Sequence, residues 1–176
     1  MSKEQFIRID GYGNKYYYSD RAKTIKHRED GPAVESDSGS KFWYINGNRH
    51  REDGPAIERA DGAKYWYING KYHREDGPAV EWDSGDKAWY INGECHREDG
   101  PAVEWASGDK YWYINGKLHR EDGPAAEDAY GNKFWYINGE ELTEEEFNAR
   151  MNPVELTLDE IAAKFGVSVD KLKIKK

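Results

Sequence analysis

The feature that most constrains this chain is a period of 23 residues. His-Arg-Glu-Asp-Gly-Pro-Ala begins at His27, His50, His73, His96 and His119, each start 23 residues after the last. Trp-Tyr-Ile-Asn-Gly begins at Trp43, Trp66, Trp89, Trp112 and Trp135 in the same step. A fixed period in this range is the mark of a repeat array, in which a unit buries its apolar face only against its neighbours.

Within a unit the residues favour strands and tight turns. Lys41-Phe42-Trp43-Tyr44-Ile45 is aromatic and β-branched, which suits an extended chain. Asn46-Gly47 follows at once, and Asn-Gly is the preferred type I′ hairpin turn because both central residues need positive φ. The return strand is expected through Asn48-Arg49-His50-Arg51. Pro55 has no N–H for a ladder, so Glu52-Asp53-Gly54-Pro55 should be a turn or bulge. Ala56-Ile57-Glu58-Arg59 resumes the strand, and Asp61-Gly62 turns the chain into the next unit. Connections this short exclude crossover helices and imply antiparallel, sequential pairing.

The expected fold is therefore all-β: an elongated, twisted single sheet of tandem antiparallel hairpin repeats with a small C-terminal helical cap. Alternation puts Trp43 and Ile45 on one face and Phe42 and Tyr44 on the other, giving a tryptophan ladder and a tyrosine ladder. Residues 1–26 read as a worn first unit: Lys15-Tyr16-Tyr17-Tyr18 resembles the aromatic strand, but Ser19-Asp20 replaces Asn-Gly. Such a unit is expected to cap the array and shield its edge. Residues 27–139 are the five complete units. In residues 140–176, Thr143-Glu144-Glu145-Glu146 and Thr157-Leu158-Asp159-Glu160 are capping boxes that each open a helix. Pro153 ends the first helix and Gly166 the second, and Ser168 is expected to cap a last short turn. The segment from Thr157 to Ser168 also resembles the opening of a helix-turn-helix unit and the middle of a LysM glycan-binding module.

Composition narrows the function. Aromatic residues make up 14% of the chain and charged residues 34%, so the core is thin and built from amphipathic rings. The net charge of −8 argues against nucleic acid and anionic membranes as partners. The single Cys95 cannot form an internal disulfide. There is no apolar leader at Met1-Ser2-Lys3-Glu4-Gln5 and no run of membrane-spanning length, so the expected location is cytoplasmic.

No motif for a phosphate loop, a dinucleotide or a nucleophile elbow is present. One histidine per unit forms a row, whereas zinc needs three or four converging ligands. Each histidine is expected to pack on a ring and bond a carbonyl or carboxylate. Arg51 is expected to pair with Glu58 or a neighbouring carboxylate, and Asp53 to bond the backbone of its own turn. No catalytic residue, metal or cofactor is expected.

Function should then lie on a surface, where units differ. The variable positions are the pair after Asn-Gly, such as Lys71-Tyr72 and Glu94-Cys95, and the turn before each Lys, which carries Trp82 and Trp105 in adjacent units. The candidate binding residues are Trp82, Trp105, Tyr72, Trp66, Trp89, Trp112, Arg74 and Arg97, since Trp, Tyr and Arg dominate interface hot spots.

The pattern Asn69-Gly70-Lys71-Tyr72-His73, with Gly77-Pro78-Ala79-Val80-Glu81 and a later Gly85, resembles the MORN repeat family, particularly its bacterial variant form. The resemblance covers residues 27–139 and departs from the family where Arg-Glu-Asp-Gly-Pro follows the histidine. The His-Arg-Glu-Asp-Gly-Pro-Ala units are also similar to those of small phage proteins, and Trp-Tyr-Ile-Asn-Gly is similar to choline-holding cell-wall repeats. The resemblance implies binding rather than catalysis. Three partners are in view: a host protein bound and inhibited by a phage product, a nucleotide or glycan held between aromatic units, and a cell-wall carbohydrate. A homo-oligomer through sheet edges or the C-terminal helices is a further expectation.

Overall fold

The computed structural model describes residues 5–153 and 155–172. It is an all-β repeat array with a short helical cap, as the period implied. Thirteen strands form one antiparallel sheet. It starts with Phe6–Ile9 and Lys15–Tyr18, and each complete unit then contributes two short strands, such as Ile57–Glu58 and Lys64–Tyr65. The register is invariant and sorts the residues by face. Lys15, Glu35, Lys41, Glu58, Lys64, Glu81 and Lys87 stand opposite one another in turn, an alternating charge ladder across one face. The other face carries Val34, Phe42, Ile57, Tyr65, Val80 and Ala88 in the same order. Opposite charges directly across strands stabilise such a pairing, so the ladder helps fix the register.

The aromatic run is not the single strand expected from its composition. In four of the units it breaks at the tryptophan: Lys41–Phe42 belongs to the sheet, whereas Tyr44–Ile45 pairs with Asn48–Arg49 in a separate two-stranded hairpin. The cause is a competing backbone partner. The Trp43 amide donates to the Ala56 carbonyl at 2.8 Å, and its own carbonyl accepts from His50 at 3.2 Å, so the chain leaves the sheet there. Trp66, Trp89 and Trp112 repeat the arrangement on Ala79, Ala102 and Ala125. Only Lys133–Ile137 runs through as one strand. The face alternation read along Lys41–Ile45 survives the break: Trp43 stays on one side with Ile45, as Trp66 does with Ile68, while Phe42, Tyr65 and Tyr67 pack in the core on the other.

The hairpins fold over the apolar face and form a second row. Asn46 and Gly47 have φ of +49° and +83°, the positive pair that a two-residue hairpin turn requires. The return strand ends at Arg49, earlier than its sequence suggested, because the Arg51 amide crosses to the Tyr67 carbonyl of the next unit at 3.0 Å. Between sheet and hairpins lies the core. Ala56 and Ile57 pack with Tyr67, against Phe42, Trp43, Tyr65 and Tyr72. Ala33, Ala56, Ala79, Ala102 and Ala125 are 0% exposed, so nothing larger fits after each proline.

The turns on the far side of the sheet are stitched together. The Ala60 amide donates to Ser40 Oγ, and the Ala106 and Ala129 amides donate to Asp86 and Asp109. At the C-terminus, helix α1 (Glu144–Met151) and helix α2 (Leu158–Phe165) both open on complete capping boxes, Thr143 with Glu146 and Thr157 with Glu160. Gly166 closes α2 in the left-handed conformation at φ 63°. Helix α1 buries Phe147 and packs on the last two strands, Lys133–Ile137 and Glu140–Leu142. Ser168 does stand before a short turn, Val169–Lys171, but its side chain makes no cap bond. The residues expected to follow, beyond Leu172, lie outside the described residues.

Candidate functional site

Each His-Arg-Glu-Asp-Gly-Pro loop is organised by its arginine. Arg74 lies over Trp66, with Cζ 4.0 Å from the ring centroid. Its Nε donates to Asp76 at 2.8 Å, and Nη1 donates to the Pro78 carbonyl at 3.1 Å and to Glu81 at 3.0 Å. Arg51, Arg97 and Arg120 repeat the arrangement over Trp43, Trp89 and Trp112. Of the partners open to Arg51 it takes two, Glu58 at 2.8 Å and the neighbouring Asp53 at 2.8 Å. Asp53 departs from expectation: its carboxylate is taken by Arg51 Nε, because the guanidinium presents a donor that a turn amide cannot match in charge. The same bond holds the carboxyls of Asp30, Asp53, Asp76, Asp99 and Asp122 below the ordinary aspartate range.

The histidines link units. His73 Nδ1 accepts the Asn92 amide at 3.1 Å, and His27, His50, His96 and His119 accept Asn46, Asn69, Asn115 and Asn138 at 3.0–3.1 Å. The backbone donor 19 residues on is a partner the sequence did not suggest; the expected carboxylate is there too, since Nε2 of each histidine faces the glutamate two residues on at 3.4–3.7 Å. With Nδ1 accepting, the proton of the neutral ring sits on Nε2, which faces Glu75 at 3.7 Å. Among the described residues no three His, Cys, Asp or Glu side chains are placed to hold a metal ion.

Between successive loops lie four clefts of one design, with volumes of about 750, 630, 680 and 740 Å³ in chain order. The second is floored by Trp66 and Ile68 and walled by Arg51 and Arg74, with Glu52, Asp53, Glu75 and Asp76 at its rim. Glu52, Glu75 and Glu98 are each 85% exposed, against 21% for Arg74. Four carboxylates against two guanidiniums give this cleft a formal charge of −2 with the histidine neutral.

The candidate residues divide into three groups. Trp66, Trp89 and Trp112 floor clefts that Arg74 and Arg97 wall, so these five lie in one row. Tyr72 lies apart, inside a tyrosine cluster with Tyr67 at 4.3 Å, Tyr90 at 5.1 Å and Tyr65 at 6.4 Å between ring centroids. Burial pushes its hydroxyl up to about 12, and likewise the Cys95 thiol. Trp82 and Trp105 stack on each other, with centroids 5.7 Å apart and planes 26° from parallel. They flank the sheet turns, and strand alternation puts Trp82 on the opposite face from Glu81, hence away from the clefts. Trp105 is 41% exposed. The rim carboxylates were not singled out from sequence, although an invariant Glu-Asp pair in all five units was the available signal.

No family model matches this chain, and no curated protein matches it in sequence. Among the described residues no helix is long and apolar enough to cross a membrane.

Proposed function

We propose that this chain is a non-enzymatic binding protein that engages a protein partner along its row of clefts. The observation that carries the reading is their equivalence: the same lining residues recur at every unit, as Arg51, Trp66, His73 and Arg74 in one cleft and Arg74, Trp89, His96 and Arg97 in the next. A catalytic centre concentrates one unique constellation, whereas an extended partner is met by a repeated one. The resemblance to MORN arrays supports binding, and that to small phage proteins supports a host protein as partner, a defence factor that a phage product would inhibit in the host cytoplasm. Affinity capture from a bacterial host lysate tests it. One stoichiometric partner should be retained, and Glu75→Gln with Glu98→Gln should weaken its retention. Absence of any such partner from every host tried would remove the reading.

A second reading has its own support. Clefts of about 630–750 Å³ fall in the range of small-ligand sites and have indole floors on which a sugar face can stack. The rim charge of −2 disfavours a nucleotide's phosphates, so a neutral glycan is the better occupant. A thermal-shift screen with neutral oligosaccharides should then raise the melting temperature, and a flat response across the panel eliminates it.

A further inference from the structure

We infer that the cleft row accepts an extended basic polypeptide, with one cationic side chain seated in each cleft at a spacing of three residues. The inference rests on the binding reading above and supplies its chemistry. Three observations carry it.

The first is the make-up of each cleft. A floor of Trp66 and Ile68 beneath Glu52, Asp53, Glu75 and Asp76 suits a lysine, whose methylene stem lies on apolar surface while its ammonium reaches carboxylates. The arginines in the walls do not compete for the glutamates at the rim: Arg74 is committed to Asp76, Pro78 and Glu81.

The second is the rim glutamate itself. Gly77 gives the Arg74 guanidinium room, Pro78 and Asp76 accept from it, and Ala79 is fully buried. Among the described residues, Glu75 and Glu98 meet only the His73 and His96 rings, at 3.7 Å, and Glu52 meets His50 at 3.5 Å, so each rim glutamate keeps most of its surface open. A glutamate nevertheless stands at this position in every complete unit.

The third is spacing. Each unit adds two strands to the sheet, so successive clefts are roughly 9.6 Å apart. Three residues of polyproline II rise about 9.3 Å and return the side chain to the same side. A β-strand of similar rise would turn every third side chain away, since its faces alternate. The row therefore selects a polyproline-II segment with a basic residue at every third position.

The test uses the full chain and two synthetic peptides of one composition. In one, Lys-Pro-Pro is repeated five times; in the other, the five lysines precede the ten prolines. Binding is read from the fluorescence of the cleft tryptophans at about 150 mM salt, where long-range attraction is largely screened. The spaced peptide should bind at least tenfold more tightly than the block peptide. Glu75→Gln with Glu98→Gln should weaken the spaced peptide at least fivefold while leaving the melting temperature unchanged, because both side chains are 85% exposed. Equal affinity for the two peptides overturns the inference and leaves only attraction of a polycation to an acidic chain. So does indifference to the double substitution. Spermine competing as well as the spaced peptide also overturns it, in favour of a free polyamine. If the peptides fail but a captured protein partner is weakened by the same substitutions, the cleft reading stands and only the peptide chemistry falls. If that partner is indifferent as well, both fall.

Discussion

Arg74 and Gly77 fit each other: a methyl placed on Gly77 would stand 2.9 Å from the Arg74 guanidinium carbon. Gly77 needs no positive φ, so it is the approach of the guanidinium that excludes a side chain there. Arg74 cannot easily give way, because Trp66, Asp76, Pro78 and Glu81 all hold it.

A double-mutant cycle measures this coupling. Arg74→Met should cost about 1.5–3 kcal/mol by removing charge-assisted bonds. Gly77→Ala alone should cost about 1–2 kcal/mol, the scale of an overpacked site. In the Arg74→Met background the same Gly77→Ala should become neutral or stabilise by up to about 1 kcal/mol, through the lower entropy of the unfolded chain. Urea unfolding of the four proteins reads the interaction, and additive effects would refute the steric link.

Acid should unfold the array in a narrow window. The hydrogen bond from Arg74 holds Asp76 below its ordinary range, and the equivalent arginines do so for Asp30, Asp53, Asp99 and Asp122. A carboxyl depressed in the folded state stabilises above its unfolded value of about 3.9, and that contribution is lost as pH falls through the folded value. The aspartates' share of the urea midpoint should therefore be lost as pH falls below about 4. Asp76→Asn should lower the midpoint at pH 7 and make the loss at low pH shallower.

These relationships mark the boundary of what the sequence discloses. The unit, its Asn-Gly turns and both capping boxes are decided by neighbours within a few residues, so they were legible. Glu58 was legible as one candidate partner of Arg51, with a neighbouring carboxylate as the other. The break at Trp43 was not, because it depends on the Ala56 carbonyl taking the Trp43 amide, a choice made by the folded chain. The partner of His73 was not legible either: its acceptor role is set by Asn92 in the next unit. Asp53 before Gly54-Pro55 fits a turn as well as it fits Arg51, and only the placement of the guanidinium decides between them. The clefts need two neighbouring loops in space, so a reading of single units found their tryptophans and arginines but not their rims.

One stitch between turns is missing and can be supplied. Ser40, Asp86 and Asp109 each accept an amide from the following turn, but Ala63 occupies the equivalent place and has no acceptor for Asp83. Ala63→Ser should restore the bond seen at Ser40 and stabilise by about 0.5–1.5 kcal/mol. Slower hydrogen exchange at the Asp83 amide would locate the gain. A variant that is less stable, with exchange at Asp83 unchanged, would show that the buried Ala63 site, 2% exposed, has no space for the hydroxyl.

Trp82 and Trp105 offer a test that separates scaffold from docking surface. Their stack joins adjacent units on the face away from the clefts, and Trp105 keeps 41% of its surface exposed. Stacked aromatic pairs contribute about 0.5–1.5 kcal/mol beyond the area they bury. Trp105→Ala should therefore lower stability by about 1–3 kcal/mol, since the lost ring is only partly buried. If the partner is held by the clefts alone, its affinity should change by less than about twofold in this variant, measured at a temperature where both proteins are folded. A loss of tenfold or more, about 1.4 kcal/mol, would instead place the indole pair in the interface as a hot spot. The companion Glu75→Gln, on the cleft face, should show the converse pattern of unchanged stability and weakened binding. The two faces are thus distinguished by which measurement moves, because a stacked ring between units holds the array together whereas an exposed rim carboxylate touches only what enters the cleft.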